Sequence, residues 1–205
     1  MQDLLSKIVG DDELHARWLN TLSFMENAGA RKISACEATE EVSLMQLKHA
    51  AEEHRHAYYL KKQISKLSDQ LCATYRPQEL LAAYATRRYL HRLDVQVCRY
   101  LKQRLGLSGQ LLKDAAYLLV TYAIEVRADA LYPEYQQVLS EAGHKVTVKS
   151  IILEEEGHLE EMLAQLRLFS DIWEQHASIA QQLEQALFTE WWLAVTQETE
   201  HPSYA

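Results

Sequence analysis

Two acid–imidazole pairs restrict this chain more than any other feature: Glu53-His56 and Glu155-His158 are each spaced Glu-x-x-His inside an apolar track. Around the second pair, Val148, Ile151, Glu155, His158, Met162, Leu166 and Phe169 recur three or four residues apart, the period of one helix face. Around the first, Met45, His49, Glu53, His56, Leu60, Ile64, Leu67 and Leu71 do the same. A carboxylate and an imidazole buried one turn apart need a counter-charge or a metal. A fold that accommodates both pairs has to be helical and has to point them inward.

Chance placement of the Glu and His in a chain this long gives roughly one Glu-x-x-His, on helical spacing alone, and the sequence holds four. Glu141-His144 straddles Ala142-Gly143, and Glu198-His201 lies in a polar tail before Pro202, so these two are set aside as coincidental. The other two stand mid-helix on faces that read as buried.

The rest of the sequence agrees with helix throughout. Six Gly and three Pro in 205 residues, with many Ala, Leu, Glu, Gln and Lys, leave no credible strand. The length suits a single domain over 1–205, with its core at 12–169. The net charge of −8 argues against general nucleic-acid binding. Cys36, Cys72 and Cys98 are odd in number and far apart, and they form no Cys-x-x-Cys, which fits a reducing cytosol rather than a disulfide framework. An acidic N-terminus and the lack of any apolar run of about 18 residues point to an unexported, cytoplasmic protein that does not enter the membrane.

In chain order, Gly10-Asp11-Asp12 caps a helix to about residue 36 on which Glu26 is the only acid of the inward track, beside the small residues Ala28, Gly29 and Ala30. Thr39, followed by Glu40 and Glu41, caps a second helix to about Leu71 carrying Glu53 and His56. Arg76-Pro77 breaks the chain, and 78–105 forms a crossover helix closed by Gly106. The crossover is basic: Arg87, Arg88, Arg92, Arg99, Lys102 and Arg104 have Asp94 as the only acid between them. They form either a solvated face or a docking surface for RNA or a carrier protein. A third core helix, about 111–142, carries Tyr122, Glu125 and Tyr132, with Pro133 expected to kink or restart it. The fourth, about 148–169, carries Glu155 and His158, and Ser170 caps a last helix over 171–196. Glu26 and Glu53 are equidistant from one hairpin turn, as Glu125 and Glu155 are from another, so each couple lies at one level.

The order Glu, Glu-x-x-His, crossover, Glu, Glu-x-x-His resembles the ferritin-like di-iron carboxylate superfamily over about residues 12–169. The resemblance implies an all-α, ferritin-like four-helix bundle with a crossover helix and an extra C-terminal helix. It implies Glu26, Glu53, His56, Glu125, Glu155 and His158 as metal ligands, with Glu37 and Glu40 as substitutes for Glu26 closer to the turn. Two Fe are the expected cofactor, with Mn or mixed Fe/Mn as alternatives, because carboxylates and imidazoles suit these ions better than thiolate-rich zinc. Glu52 and Glu154, each preceding a ligand Glu, are expected to orient the histidines. Tyr122 and Tyr132 are candidate partners of the metals, weighed against core tyrosines. His49 and His54 read as plain helix residues, while His91 and His176 have no partner that the sequence identifies.

Three activities follow. The first is an enzyme that activates O2 at the di-metal centre to oxidise a small-molecule substrate with an external electron donor. Its hairpin spacing is similar to that of aldehyde-deformylating oxygenases, from which the inserted helix, Arg127 and Asp129 depart. The second is a ferroxidase or peroxide reductase, since the Glu155-Glu156-Gly157-His158 stretch also resembles bacterioferritins and rubrerythrins. Ala128 stands where an additional rubrerythrin acid is expected. The third, a metal-free interaction bundle, leaves six polar residues hard to bury. An oxidase should have an apolar channel beside the metals and one or two subunits, with a homodimer admitted, whereas a storage protein should form a large shell.

Overall fold

The computed structural model describes residues 1–41, 43–68 and 70–201, and among them every regular element is helical. Seven α-helices follow in order: α1 (Gln2–Val9), α2 (Asp12–Cys36), α3 (Leu44–Gln63), α4 (Ala83–Leu105), α5 (Gly109–Glu141), α6 (Lys149–Phe169) and α7 (Trp173–Glu200). Short 3-10 turns occupy Ile64–Lys66 and Pro77–Glu79. No described helix is long and apolar enough to cross a membrane.

Helix α2 begins where the acids predict, because the Asp11 carboxylate accepts from the backbone N–H groups of Glu13 and Leu14 at 2.9 and 3.0 Å. Other boundaries differ from expectation. Helix α3 starts at Leu44 rather than after Thr39, because Ser43 supplies the cap by accepting from Gln46 N at 3.4 Å. It stops at Gln63, well before Leu71, where the backbone tightens into the 3-10 turn. The crossover helix starts at Ala83, the chain before it being held by Leu81 N donating to Thr21 Oγ1 and Ala82 N to Glu198 Oε2, both at 2.8 Å. Gly106, at φ +65°, closes α4 as the sequence suggests.

Pro133 does not start a new segment: α5 runs through it to Glu141, with buried Leu131, Tyr132 and Tyr135 anchoring the helix on either side. The missing N–H costs a single intrahelical bond. Ser170 does not cap α7. Its hydroxyl accepts from Ile172 N in the preceding turn, and the helix begins at Trp173 and continues to Glu200.

Helix α2 packs along α3, and α5 along α6; α4 packs between α5 and α7 and also touches α2. Helices α3 and α6 face each other through a polar ladder: His49 with Glu161, Glu52 with His158 and Glu154 with His56, each at 2.7 Å. One set of numbers rises while the other falls, so the two helices are antiparallel. At one end of the molecule Trp18, Trp191, Trp192 and Phe188 stack into an aromatic core that fastens α7 to α2.

Candidate metal centre

Helices α2, α3, α5 and α6 each send at least one acid to a common buried point. Glu26 comes from α2, Glu53 and His56 from α3, Glu125 from α5, and Glu155 and His158 from α6. Their polar atoms form two overlapping groups, Glu26/Glu53/His56/Glu155 and Glu53/Glu125/Glu155/His158, with the ligand atoms of each group within 4.8 Å of one another. These buried Glu and His groups could hold a metal ion. Glu53 and Glu155 belong to both groups, and Glu26 and Glu125 to one each. The spacing of one helical turn puts each Glu and His of a pair on one face, and α2 and α5 bring the two single acids alongside.

The histidines are oriented from the opposite hairpin. The Nε2–H of His56 donates to Glu154 Oε2 and that of His158 to Glu52 Oε2, each at 2.7 Å. A carboxylate can only accept here, so the proton sits on Nε2 and each Nδ1 turns inward. Arg55 holds Glu154 in place at 2.6 Å. The inward atoms have no aligned hydrogen bond: His56 Nδ1, His158 Nδ1 and Glu125 Oε2 are buried without a partner. His56 Nδ1 lies 3.0 Å from Glu155 Oε1, and His158 Nδ1 lies 3.6 to 3.8 Å from Glu53, Glu125 and Glu155. Buried lone pairs without partners are rare in native proteins, and a metal ion would satisfy all three.

Electrostatics point the same way. Burial, then the charges of Glu53 and Glu155, push the Glu26 carboxyl far above its ordinary range. Glu125 is raised likewise by burial and by Glu155. Burial works against charging the histidines, but the surrounding acids win and raise His56 to about 11 and His158 to about 9. Glu155 is held low against its own burial by the hydrogen bonds and charges around it. Without a cation, therefore, the cluster retains protons on the atoms a metal would use. With neutral imidazoles and ionised acids, four carboxylates present four negative charges, which two divalent ions would balance.

Beside the carboxylates lies a cavity of about 90 Å³, bordered by Glu26, Glu53, Glu125 and Glu155 on one side and mainly by apolar side chains elsewhere. Glu26 is only half-buried, and its open side faces this space. Gly29 contributes to the opening, since a Cβ added there would meet nothing within 4 Å. Ala128 also lines it, leaving room where an additional acid would intrude.

The two tyrosines separate. Tyr132 borders the cavity and donates its hydroxyl to Glu26 Oε1. Tyr122 is not at the cluster: its hydroxyl accepts from Gln181 Nε2 of α7 at 3.2 Å. Glu37 and Glu40 stay outside both ligand groups.

His49, which reads as an ordinary helix residue, is fully buried. It accepts from the Tyr117 hydroxyl at Nδ1 (3.0 Å), donates to Glu161 at Nε2 and places its ring 4.6 Å from that of His158. The signal available in sequence was its position one turn before Glu53 on the same track. His176 also has a partner, the Tyr100 hydroxyl at 2.6 Å. Arg127 forms a bidentate pair with buried Glu184 of α7, both bonds 2.8 Å, and Tyr89 donates to the same carboxylate.

Compared with family models, curated proteins and solved structures, the chain matches none of them.

Proposed function

We propose that α2, α3, α5 and α6 form a ferritin-like four-helix bundle around a di-iron carboxylate centre that activates O2 to oxidise a small organic substrate. The observation that carries this reading is the pair of overlapping Glu/His groups sharing Glu53 and Glu155, with inward-facing nitrogen and oxygen atoms that have no other partner. Glu26, Glu53, His56, Glu125, Glu155 and His158 would hold the metals, Glu53 and Glu155 being common to both groups. Mixed oxygen and nitrogen donors suit iron or manganese. When bound, a pair of reduced irons would supply electrons to O2.

The chain's own residues do the rest. Glu52 and Glu154 fix the tautomers and orientations of the two histidines. Tyr132 holds Glu26 through its hydroxyl. The apolar wall of the cavity keeps bulk water from the reacting face and leaves room for an organic molecule, a feature that iron storage does not require.

The test is O2 uptake by iron-loaded, chemically reduced protein, with gel filtration alongside. The oxidase reading expects uptake that falls to background in Glu53→Ala, from a species of one or two chains. A large shell that turns over iron without a co-substrate would favour the ferroxidase reading instead.

A further inference from the structure

The cavity beside the carboxylates shares a wall with a larger groove of about 320 Å³ between α2 and α4. Met25, Lys32, Tyr89 and Leu90 line both spaces. The groove is cationic in a chain whose net charge is −8: Arg31, Lys32 and Arg87 line it against the single acid Asp94. Lys32 pairs with Asp94 at 2.8 Å. The arginines retain free donors, because Arg31 uses Nε on the Asn27 carbonyl of its own helix and Arg87 uses one terminal nitrogen on the Tyr75 carbonyl. Arg87 also lies over the Phe24 ring that lines the groove, 5.6 Å from its centroid, and further along α4 Arg92 is tied to Glu190.

We propose that the oxidised substrate is a small amphipathic anion: an apolar body reaching into the cavity against Glu26 and Glu125, and a carboxylate-like head in the groove on Arg31, Lys32 and Arg87. The inference rests on the oxidative reading above and names its substrate class. The inner cavity is smaller than the roughly 150 Å³ space that takes up benzene, so it admits a few carbons, and the remainder of the body lies in the groove. A positive mouth on a negative protein concentrates anions there and excludes cations of the same shape. Phosphate-like heads share this chemistry, but the guanidinium donors equally suit a carboxylate. Lys32, which borders both spaces, would trade Asp94 for the incoming head.

Hexanoate, 1-hexanol and hexylammonium are probes of equal chain length and different head charge. Ligand-observed NMR titrations would use full-length protein both metal-loaded and metal-depleted, since the groove does not need the metal to bind an anion. Hexanoate should bind at least about tenfold tighter than either control. Arg31→Gln, at an exposed position whose side-chain hydrogen bond is to its own helix, should weaken hexanoate several-fold. Arg31→Glu/Arg87→Glu should weaken it tenfold or more, and both variants should leave hexanol unchanged. Gly29→Leu, which fills the inner cavity, should weaken hexanoate and hexanol together. Hexanoate binding no tighter than hexanol would overturn the proposal. So would hexanoate binding indifferent to charge reversal, which would put the head elsewhere, for example against the metals. Protein that takes up two metals yet shows no charge-selective binding refutes the groove and spares the centre. Charge-selective binding by protein that takes up no metal supports the groove and refutes the centre.

Discussion

Two buried acidic networks draw on α5, one through Glu125 and the other through Arg127, and they are solved in opposite ways. Glu184 of α7 receives two bonds from Arg127 and one from Tyr89, so its charge is balanced and its oxygens are occupied by protein. Glu26, Glu53, Glu125 and Glu155 have two imidazoles beside them and form no ion pair with a lysine or arginine among the described residues, and the cluster leaves two ring nitrogens and a carboxylate oxygen unpartnered. The first network is complete as folded; the second is completed only by protons or cations from outside. Burial alone therefore does not mark a functional acid. What marks it is a deficit of partners within the protein.

The sharpest way to break this comparison is to delete one member from each network. Arg127→Met should destabilise the protein by about 3 kcal/mol, because it strands the Glu184 charge in a buried site. Glu125→Gln should change the stability of metal-depleted protein by less than about 1 kcal/mol, because Glu125 is already driven towards its neutral form. Urea unfolding of both variants after chelation checks the contrast, and equal losses would erase the distinction.

Next in size is the histidine support. Glu52→Ala and Glu154→Ala should each weaken metal affinity about 10- to 100-fold, the usual cost of losing a carboxylate behind a ligating imidazole. Competition against a chromophoric chelator reads this, and unchanged affinity would make the two acids ordinary surface groups.

A third prediction concerns a buried imidazole far from the cluster. Burial, then the neighbouring His144, lowers His15 to about 3, while its Nε2 accepts from the Tyr135 hydroxyl at 2.6 Å. The unfolded chain binds a proton at ordinary His pKa that the folded chain refuses. The stability from neutral His15 is therefore complete above about pH 6.5 and is lost as pH falls towards 3, at up to about 1.4 kcal/mol per unit. Unfolding at pH 7, 6 and 5 should show a shallower acid slope in His15→Gln than in the unaltered protein. The smallest effect is Gly29→Ala: with no atom in the way of the added Cβ, it should stabilise α2 by about 0.5–1 kcal/mol while narrowing the cavity. Thermal melts would detect the gain, and a loss would mean that the position is not open.

What could be read from sequence follows from how each residue's surroundings are specified. Glu53 with His56, and Glu155 with His158, are legible because one turn of helix fixes their relative direction whatever packs against them. Glu26 and Glu125 are placed by counting from turns that do form, although α3 is capped by Ser43 rather than Thr39. The tyrosines show the limit of this reasoning. Tyr132, seven residues after Glu125, returns to nearly the same face, whereas Tyr122, three before it, is rotated by about 60° and meets α7 instead. His49 was not legible as a buried hub, because Tyr117 and Glu161 come from other helices. The groove was invisible for the same reason: Arg31 and Arg87 converge only when α2 packs on α4.

The most direct test of the central claim is metal content per chain, measured by plasma emission on protein produced with iron and with manganese, alongside Glu155→Ala/His158→Ala. The account predicts about two metals per chain, both lost in the double variant, since Glu155 serves both groups. A well-folded protein without stoichiometric metal, or a variant that keeps its full complement, would contradict it.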